Sequence, residues 1–186
     1  MNTLEAIAQR RSIRRFKDTP IPDEALETIL TAATQAPSGK NTQPWRFIVV
    51  KGDKRAEMVR IMREAVECVK AEGGDVGSSA WTADVMERAP VTIFVFSEVE
   101  NSRDCDWKSS VVDVQSIGAA IQNMLLAAQE LGIGSLWICD VFYACAGLRA
   151  WLGETHEMIA AVSFGYPNER PGPRPRKPVS EVTRWL

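Results

Sequence analysis

The chain is poor in the side chains that bind metal ions or form covalent cross-links. Its 186 residues include a single histidine, His156, and four cysteines, Cys68, Cys105, Cys139 and Cys145, and no two of these form a C-x-x-C pair. Zinc sites need several closely spaced Cys and His ligands, so we expect no metal centre. Reduced thiols in a cytoplasmic protein are the simplest explanation for the cysteines.

The sequence also lacks the apolar runs and glycine-rich loops that mark several other protein classes. No basic segment followed by an apolar stretch opens the chain, and the longest uncharged stretch, Val114 to Gln129, is short and carries Gln, Asn and Ser. We therefore expect no signal peptide and no membrane span. Gly132-Ile133-Gly134 follows a predicted helix, and Gly73 to Gly77 has no strand before it, so neither indicates a Rossmann or P-loop site.

The length of the chain favours a single globular domain, and its net charge argues against a surface built for binding nucleic acid. The 22 basic and 24 acidic residues give a formal net charge of −2, and 45% of the residues are hydrophobic. A chain of this length buries roughly 70% of its unfolded surface, which is enough for one core. We therefore predict a single domain over residues 1–186, with no nucleic-acid partner, in which the positive charge is concentrated locally.

The hydrophobic pattern predicts a mixture of helices and strands without a βαβ repeat, which indicates the α+β class. Helices are predicted at Leu4 to Arg10, between Pro22 and Pro37, and at Asp53 to Glu72, Val111 to Leu131 and Phe142 to Leu152. Strands are predicted at Arg46 to Val50, Val91 to Phe96, Leu136 to Cys139 and Ile159 to Phe164, with an extended segment from Val179 to Leu186. The Val91 strand is apolar throughout and should be central and buried on both faces.

The helix predicted from Val111 to Leu131 is apolar on nearly every side. One stripe contains Val114, Ile117, Ile121, Met124, Ala128 and Leu131, and further apolar residues, Val112, Ala120, Leu125 and Leu126, lie between them. At ~1.5 Å per residue this helix is roughly 30 Å long, too long for so small a domain to cover completely. Part of its surface should therefore meet a second copy of the chain, which predicts a homodimer.

Two further segments suit a phosphorylated, planar ligand. Arg10-Arg11-Ser12-Ile13-Arg14-Arg15-Phe16 offers guanidinium groups and a hydroxyl to a phosphate. The loop from Ala36 to Trp45 is rigidified by prolines and carries amide donors and acceptors suited to the edge of a flat ring. The basic segment alone also fits a solvated helix end or a nucleic-acid patch, and the loop alone also fits an ordinary turn before a strand. A third segment, Pro173 to Pro178, places cations on a stiff, proline-rich stretch.

In this order the segments resemble the FMN-dependent nitroreductase family. The matching motifs are Arg10-Arg11-Ser12-x-Arg14, Ala36-Pro37-Ser38-x-x-Asn41-x-Gln43-Pro44-Trp45, Gly132-x-Gly134-Ser135-x-Trp137, Phe164-Gly165-Tyr166-Pro167, and Arg176-Lys177-Pro178 to Glu181-Val182. The resemblance covers nearly the whole chain except about Asp53 to Glu87. It implies an intertwined homodimer with a nitroreductase-like fold, in which helices flank a mainly antiparallel or mixed central sheet. Within it we expect a lid-like segment at about 73–88 and a C-terminal arm at about 167–186.

The resemblance also implies which residues bind FMN. Arg10 and Ser12 would hold the phosphate and ribityl region, Arg176 or Lys177 would add charge at the phosphate, and Arg14 would face the pyrimidine edge of the flavin. Arg11 is also expected to contact the cofactor. Pro37, Ser38, Gly39 and Asn41 would come from the partner subunit, and Cys139 and Asp140 would place main-chain groups near flavin N5. For the two side chains, a small buried apolar role for Cys139 and a helix cap for Asp140 are the alternatives.

The function implied is a ping-pong oxidoreductase. NAD(P)H would reduce FMN, and the flavin would then reduce an electron-poor acceptor such as a nitroaromatic, quinone or enone. Reductive dehalogenation and flavin cleavage also occur in the family, and a non-enzymatic module that binds polyanions or a partner through its basic segments is the alternative outside it. No catalytic side chain is assigned, because His156 lies between a predicted helix and strand and is expected to be structural or exposed. Lid candidates are Gly73 to Glu87, with Trp81, and Asn101 to Ser109, with Trp107.

Overall fold

The fold is described from a computed structural model that covers residues 1–98 and 107–186. The helices are α1 (Thr3–Gln9), α2 (Asp23–Thr34), α3 (Lys54–Ala71), α4 (Ser79–Arg88), α5 (Trp107–Glu130), α6 (Cys145–Leu152) and α7 (Val179–Val182). The strands are β1 (Trp45–Lys51), β2 (Val91–Ser97), β3 (Gly134–Ile138) and β4 (Glu157–Gly165). Short 3₁₀ turns occupy Gly39–Asn41 and Asp140–Ala144.

The strands form one antiparallel sheet in the order β1-β2-β4-β3. This confirms the predicted α+β class and a sheet of the antiparallel kind. All seven residues of β2 are buried, so its predicted central position is also confirmed. Because side chains alternate along a strand, β2 sends Phe94 and Phe96 to one face of the sheet and Ile93 and Val95 to the other.

Each face of the sheet is covered by helices, which gives three layers and two apolar cores. Residues of α3, α4 and α6, including Met58, Met86 and Leu148, pack with Phe94 on the first face. Residues of α2 and α5 pack with Ile93 on the second. The sheet is therefore buried on both sides, and its ends and edges are where a ligand can reach the backbone.

Helix α5 supplies much of the second core, and part of its apolar stripe stays exposed. Ile117, Ile121 and Met124 are fully buried, whereas Val114, and Leu131 just beyond the helix, are 45% and 40% exposed. This agrees with the expectation that one protomer does not cover the whole apolar surface of this helix. By length and composition alone, the span Ser110–Glu130, with a mean hydropathy of 1.3, is long and apolar enough to cross a bilayer. In this fold its apolar side chains pack against α2 and the sheet.

The segment expected to be lid-like, at about 73–88, contains a helix that the hydrophobic pattern did not predict, α4, whose Thr82, Ala83 and Met86 are buried. The prediction for the end of the chain needs correction. The segment predicted to be extended after Val179 begins with the single helical turn α7. Both helices follow glycine or proline residues, which in a sequence indicate loops. Their short helical patterns were therefore not recognised.

The segment after α1 lies along the outer edge of β3 and fixes the position of the basic residues. Ile13 N donates to Ser135 O at 2.9 Å, and Lys17 N donates to Tyr166 O at 2.8 Å. Ile13 and Phe16 are buried, each 7% exposed, so the arginines between and beside them are directed away from the core. Gly165 allows this close approach: a Cβ there would lie 2.8 Å from Phe16 Cδ1 and 2.7 Å from Pro90 Cδ.

We expect Gly165→Ala to destabilise the protein by about 1–3 kcal/mol, because the added methyl group would overpack a filled contact. Urea denaturation followed by circular dichroism measures the free energy of unfolding. Gly172→Ala is the matched control, since nothing lies within 4 Å of a Cβ at that position. Equal stability of the two variants would contradict the close packing described for the edge segment.

Candidate functional site

A cavity of about 400 Å³ lies between the end of α1 and the C-terminal arm, residues 167–186. It is lined by Ile7, Ala8, Arg10, Arg11, Ser12, Arg14, Pro171, Gly172, Pro173, Arg174 and Arg176. Five of these eleven residues are arginines and none is acidic. Small-molecule sites in proteins have volumes of about 300–1,000 Å³, so the cavity has the size and the charge of a site for an anionic small molecule.

The arginines of the cavity are close enough to repel one another. Partial burial, followed by the charges of Arg176 and Arg11, lowers the pKa of the Arg10 guanidinium. An arginine nevertheless stays protonated at neutral pH. No carboxylate of the described residues forms an ion pair with Arg10 or Arg176. Within the described part of the chain, the charge of these two guanidinium groups is therefore not balanced by a paired carboxylate.

Arg11 is held differently from its neighbours. Its Nη1 donates to Ala8 O at 2.7 Å and to Arg10 O at 2.8 Å, so the guanidinium caps the carbonyl end of α1. These bonds use part of the donor capacity of Arg11. Arg176 Nη1 likewise donates to Pro175 O at 3.2 Å and to Arg174 O at 3.5 Å, within its own segment. The sequence gives no sign that the guanidinium of Arg11 is engaged by the helix end.

The backbone beside Arg14 is fixed by Glu169, a residue that the sequence analysis did not single out. Glu169 Oε1 accepts from Arg14 N at 2.5 Å and from Arg15 N at 3.2 Å. The Arg14 guanidinium lies 5.3 Å from the ring centroid of Trp81, at the distance of a cation–π contact. The partner is hard to foresee from sequence, because Glu169 lies 155 positions from Arg14.

The loop predicted to contact the flavin ring is strained and lies apart from the cavity. Lys40, Asn41 and Gln43 all have positive φ values, between 49° and 57°, which non-glycine residues rarely adopt. Ser38 Oγ accepts from Gln43 N at 3.0 Å and holds the loop closed. Strain of this kind often accompanies a functional site.

The same loop packs on the first turns of α5. Gly39 N donates to Ser116 Oγ at 3.3 Å, and a Cβ at Gly39 would lie 2.3 Å from Val112 Cγ1. Pro37, Ser38, Gly39 and Asn41 are absent from the lining of the arginine cavity. One protomer therefore does not bring the two predicted halves of the site into one pocket.

Cys139 and Asp140 follow directly after β3, and the alternatives considered for both were wrong. Cys139 is exposed rather than buried. Partial desolvation of the sulfur and then the Asp140 carboxylate raise the pKa of the thiol, against a hydrogen bond with Trp137 that lowers it. A thiol that stays protonated is a poor nucleophile. Asp140 caps no helix: its Oδ2 accepts from Ser78 Oγ and from Thr82 Oγ1, both at 2.6 Å.

The remaining predicted residues divide between the site and its surroundings. Arg176 lines the cavity and Lys177 does not, which favours Arg176 as the phosphate cation. His156 is partly buried and its Nδ1 lies 2.5 Å from Glu154 Oε1, so it has the structural role that was expected. Of the two lid candidates, Asn101 to Ser109 falls largely on residues 99–106, outside the part of the chain that the structure describes.

Comparison with known proteins places this fold and site in a family. The model of the nitroreductase family matches residues 7–166 of the chain. A candidate NADH dehydrogenase/NAD(P)H nitroreductase of Methanothermobacter thermautotrophicus is 33% identical over 181 residues, which cover 94% of this chain and 82% of the relative. An iodotyrosine deiodinase of Thermotoga neapolitana is 32% identical over 182 residues, which cover 94% and 91%.

A solved structure agrees with these relatives. The crystal structure of a candidate nitroreductase in complex with FMN from Desulfovibrio desulfuricans has a TM-score of 0.78 and 33% identity, over 100% of this chain and 98% of that one. The chain therefore belongs to the nitroreductase family, and both the family and the nitroreductase-like α+β fold predicted from the motifs are confirmed.

The unpaired arginines predict that inorganic phosphate stabilises the protein. A ligand that binds only the folded state raises the midpoint of thermal unfolding, here by about 2–5 °C at phosphate concentrations well above its dissociation constant. Differential scanning fluorimetry on flavin-free protein, with chloride at equal ionic strength as reference, measures the shift. Arg10→Ala should abolish the shift, and Arg15→Ala, whose exposed side chain does not line the cavity, should keep it. The same shift in Arg10→Ala as in the wild type would argue against the anion site.

Proposed function

We propose that this protein is an FMN-dependent oxidoreductase that accepts hydride from NAD(P)H and passes it to an electron-poor acceptor such as a nitroaromatic, a quinone or an enone. The observation that carries the proposal is the cavity that Arg10 and Arg176 share, which has positive charge, no carboxylate and the volume of a small-molecule site. Family membership and the FMN complex of the Desulfovibrio relative support it. We expect the enzyme to act in the cytoplasm.

The residues of the cavity fit a phosphorylated cofactor. Arg10 and Arg176 would hold the phosphate by charge-assisted hydrogen bonds, and the partly buried Ser12 would donate its hydroxyl to the phosphate or the ribityl chain. Partial burial first, and then repulsion by Arg176 and Arg11, lowers the pKa of Arg10, and a dianion placed between the guanidinium groups would offset both effects. The phosphate would thus be the main anchor of the cofactor.

The same segment would place a cation at the ring. Arg14 lies two residues from Ser12 and its backbone is fixed by Glu169. A guanidinium at the pyrimidine edge favours negative charge on the flavin and so raises its reduction potential. FMN, when bound, would supply the two-electron chemistry. The chain would orient the cofactor, place positive charge beside its ring and exclude water from it.

We propose that the active unit is a homodimer in which Pro37, Ser38, Gly39 and Asn41 of one protomer complete the site of the other. Two sets of exposed apolar side chains are suited to contact with a second copy of the chain. The first is Val111, Val112 and Val114, at the start of α5, beside the loop from residues 37 to 43. The second is at the end of the arm, where Trp185 and Leu186 are 86% and 106% exposed. Apolar surfaces of this kind are typical of subunit interfaces.

The Thermotoga relative supports a second candidate reaction. It is named an iodotyrosine deiodinase and aligns over 94% of this chain, about as much as the nitroreductase-named relative. The reduced cofactor would then supply two electrons to a halogenated phenol and solvent would supply one proton, so that a C–H bond replaces the carbon–halogen bond and halide is released. Halide release from iodotyrosine, measured beside the other acceptors, separates the two reactions.

We expect Arg10→Ala to weaken FMN binding by roughly 10- to 100-fold, because it removes charge-assisted bonds to the phosphate. Riboflavin, which has the same ring and no phosphate, should bind the variant and the wild type equally. Quenching of flavin fluorescence measures both affinities, and Arg15→Ala is the control. Equal losses for FMN and riboflavin would contradict a phosphate at Arg10, and a wild-type protein that binds no FMN would refute the proposed function.

Anaerobic titration of the flavin-loaded protein with NADH and NADPH tests the reaction itself. We expect bleaching of the flavin absorbance by at least one of the two, and its return on addition of a nitroaromatic, a quinone or an enone. Reoxidation by iodotyrosine alone would favour the deiodinase candidate. No bleaching by either nucleotide would contradict the NAD(P)H-dependent function.

A further inference from the structure

Helix α4 is attached to the end of β3 by a single carboxylate. Asp140 Oδ2 accepts from Ser78 Oγ, which precedes the helix, and from Thr82 Oγ1, one turn later. Both distances are 2.6 Å, in the range of short hydrogen bonds between a hydroxyl and a carboxylate. Ser78 and Thr82 lie on one face of the helix, so the carboxylate fixes its first turn.

The same turn of α4 reaches the cationic segment through Trp81. The indole lies over the Arg14 guanidinium, 5.3 Å from Cζ to the ring centroid, and is still 48% exposed. The first turn of α4 therefore contacts both parts of the site that the family resemblance places around the flavin: the end of β3 and the arginine assigned to the pyrimidine edge. An exposed tryptophan in that place is a cover rather than a core residue.

The second half of α4 is held independently of this contact. Val85 and Met86 are fully buried in the first core, and Arg63 of α3 pairs with Asp84 and Glu87, each at 2.9 Å. In the first turn Ser79 and Thr82 are buried as well, but Trp81 is exposed, so we expect loss of the bonds to Asp140 to loosen this turn while the rest of the helix stays packed. This division lets the first turn move without unfolding the domain.

We propose that Asp140 is a positioning residue that holds the first turn of α4 through Ser78 and Thr82, so that Trp81 covers Arg14 and restricts the size of the acceptor that reaches the flavin. The inference rests on the proposed function. Asp140 acts here through the helix and transfers no proton or electron. Trp81 sets specificity by occupying space at the pyrimidine edge, which selects compact acceptors over extended ones.

The positioning role is tested first on the protein without flavin. Ser78→Ala combined with Thr82→Val removes both hydroxyl donors and leaves Asp140 in place. Hydrogen–deuterium exchange should then be roughly tenfold faster in residues 79–82 and unchanged in residues 85–88. Asp84→Ala, on the same helix, removes an ion pair with Arg63 and should leave the exchange of residues 79–82 at the wild-type rate. Unchanged exchange of residues 79–82 in the double variant would overturn the proposal.

The specificity role is tested on the flavin-loaded enzyme with two neutral quinones of different size, benzoquinone and phenanthrenequinone. Trp81→Ala and the double variant should both raise the ratio of kcat/KM for phenanthrenequinone over benzoquinone by roughly tenfold. Asp84→Ala should keep the wild-type ratio, and Thr82→Ser, which retains a hydroxyl, should keep it as well. A purely structural role of α4 would change the melting temperature and leave the ratio constant.

The outcomes separate this inference from the function on which it rests. A wild-type protein that binds FMN and is reduced by NAD(P)H, with the same quinone ratio in every variant, overturns the inference alone. A wild-type protein that takes up no FMN overturns the proposed function, and the specificity role of Trp81 with it. Faster exchange together with a raised quinone ratio supports the whole proposal.

Discussion

The pairing of the segment after α1 with the edge of the sheet is the constraint on which the site depends. Backbone hydrogen bonds join Ile13 to Ser135 and Lys17 to Tyr166, and Asn168 N donates back to Arg15 O at 2.8 Å. These bonds tie the start of the chain to β3 and to the beginning of the C-terminal arm. Ile13 and Phe16 are buried, whereas Arg14 is only partly buried and Arg15 is exposed, so burial of the two apolar side chains leaves the arginines between them on the outside. A rigid sheet thereby positions flexible cationic side chains.

This arrangement concentrates positive charge in the cavity, where the arginines repel one another. Arg10 and Arg176 come from opposite ends of the sequence and meet at one cavity without a carboxylate between them. Such a cluster weakens the folded state unless an anion joins it, so ligand binding and stability are coupled. The acidic side chain nearby, Glu169, is engaged by backbone N–H groups rather than by a guanidinium. The positive charge of the cavity therefore remains available to an anionic ligand.

The sequence predicted the parts of this fold that local chemistry determines. The β2 strand is apolar at nearly every position, and its burial on both faces follows from that pattern. The basic segment and the proline-bounded loop were found because their residue types are unusual together. The family resemblance then supplied what spacing alone could not, namely the identity of the cofactor.

The features that the sequence did not predict depend on distant contacts. Helix α4 follows a glycine-rich segment, and its amphipathic pattern is short. Its attachment through Asp140 joins residues 58 and 62 positions apart, and a carboxylate after a strand is equally suited to cap a helix. Cys139 is exposed because the chain leaves the sheet at that point, which a predicted strand boundary does not reveal. Tertiary packing decided these positions, not local preference.

The most direct test of the central claim, that cations of one copy and the loop of a second copy form one flavin site, uses mixed dimers. Arg10→Ala disables the cationic half, and Ser38→Ala removes the hydroxyl that accepts from Gln43 N and holds the loop. Each homodimer should bind FMN weakly. A dimer with one subunit of each kind, purified through two different tags, should bind one FMN with wild-type affinity, because one of its two sites carries neither change. Mixed dimers that bind no better than their parents, or a protein that stays monomeric, would contradict the account.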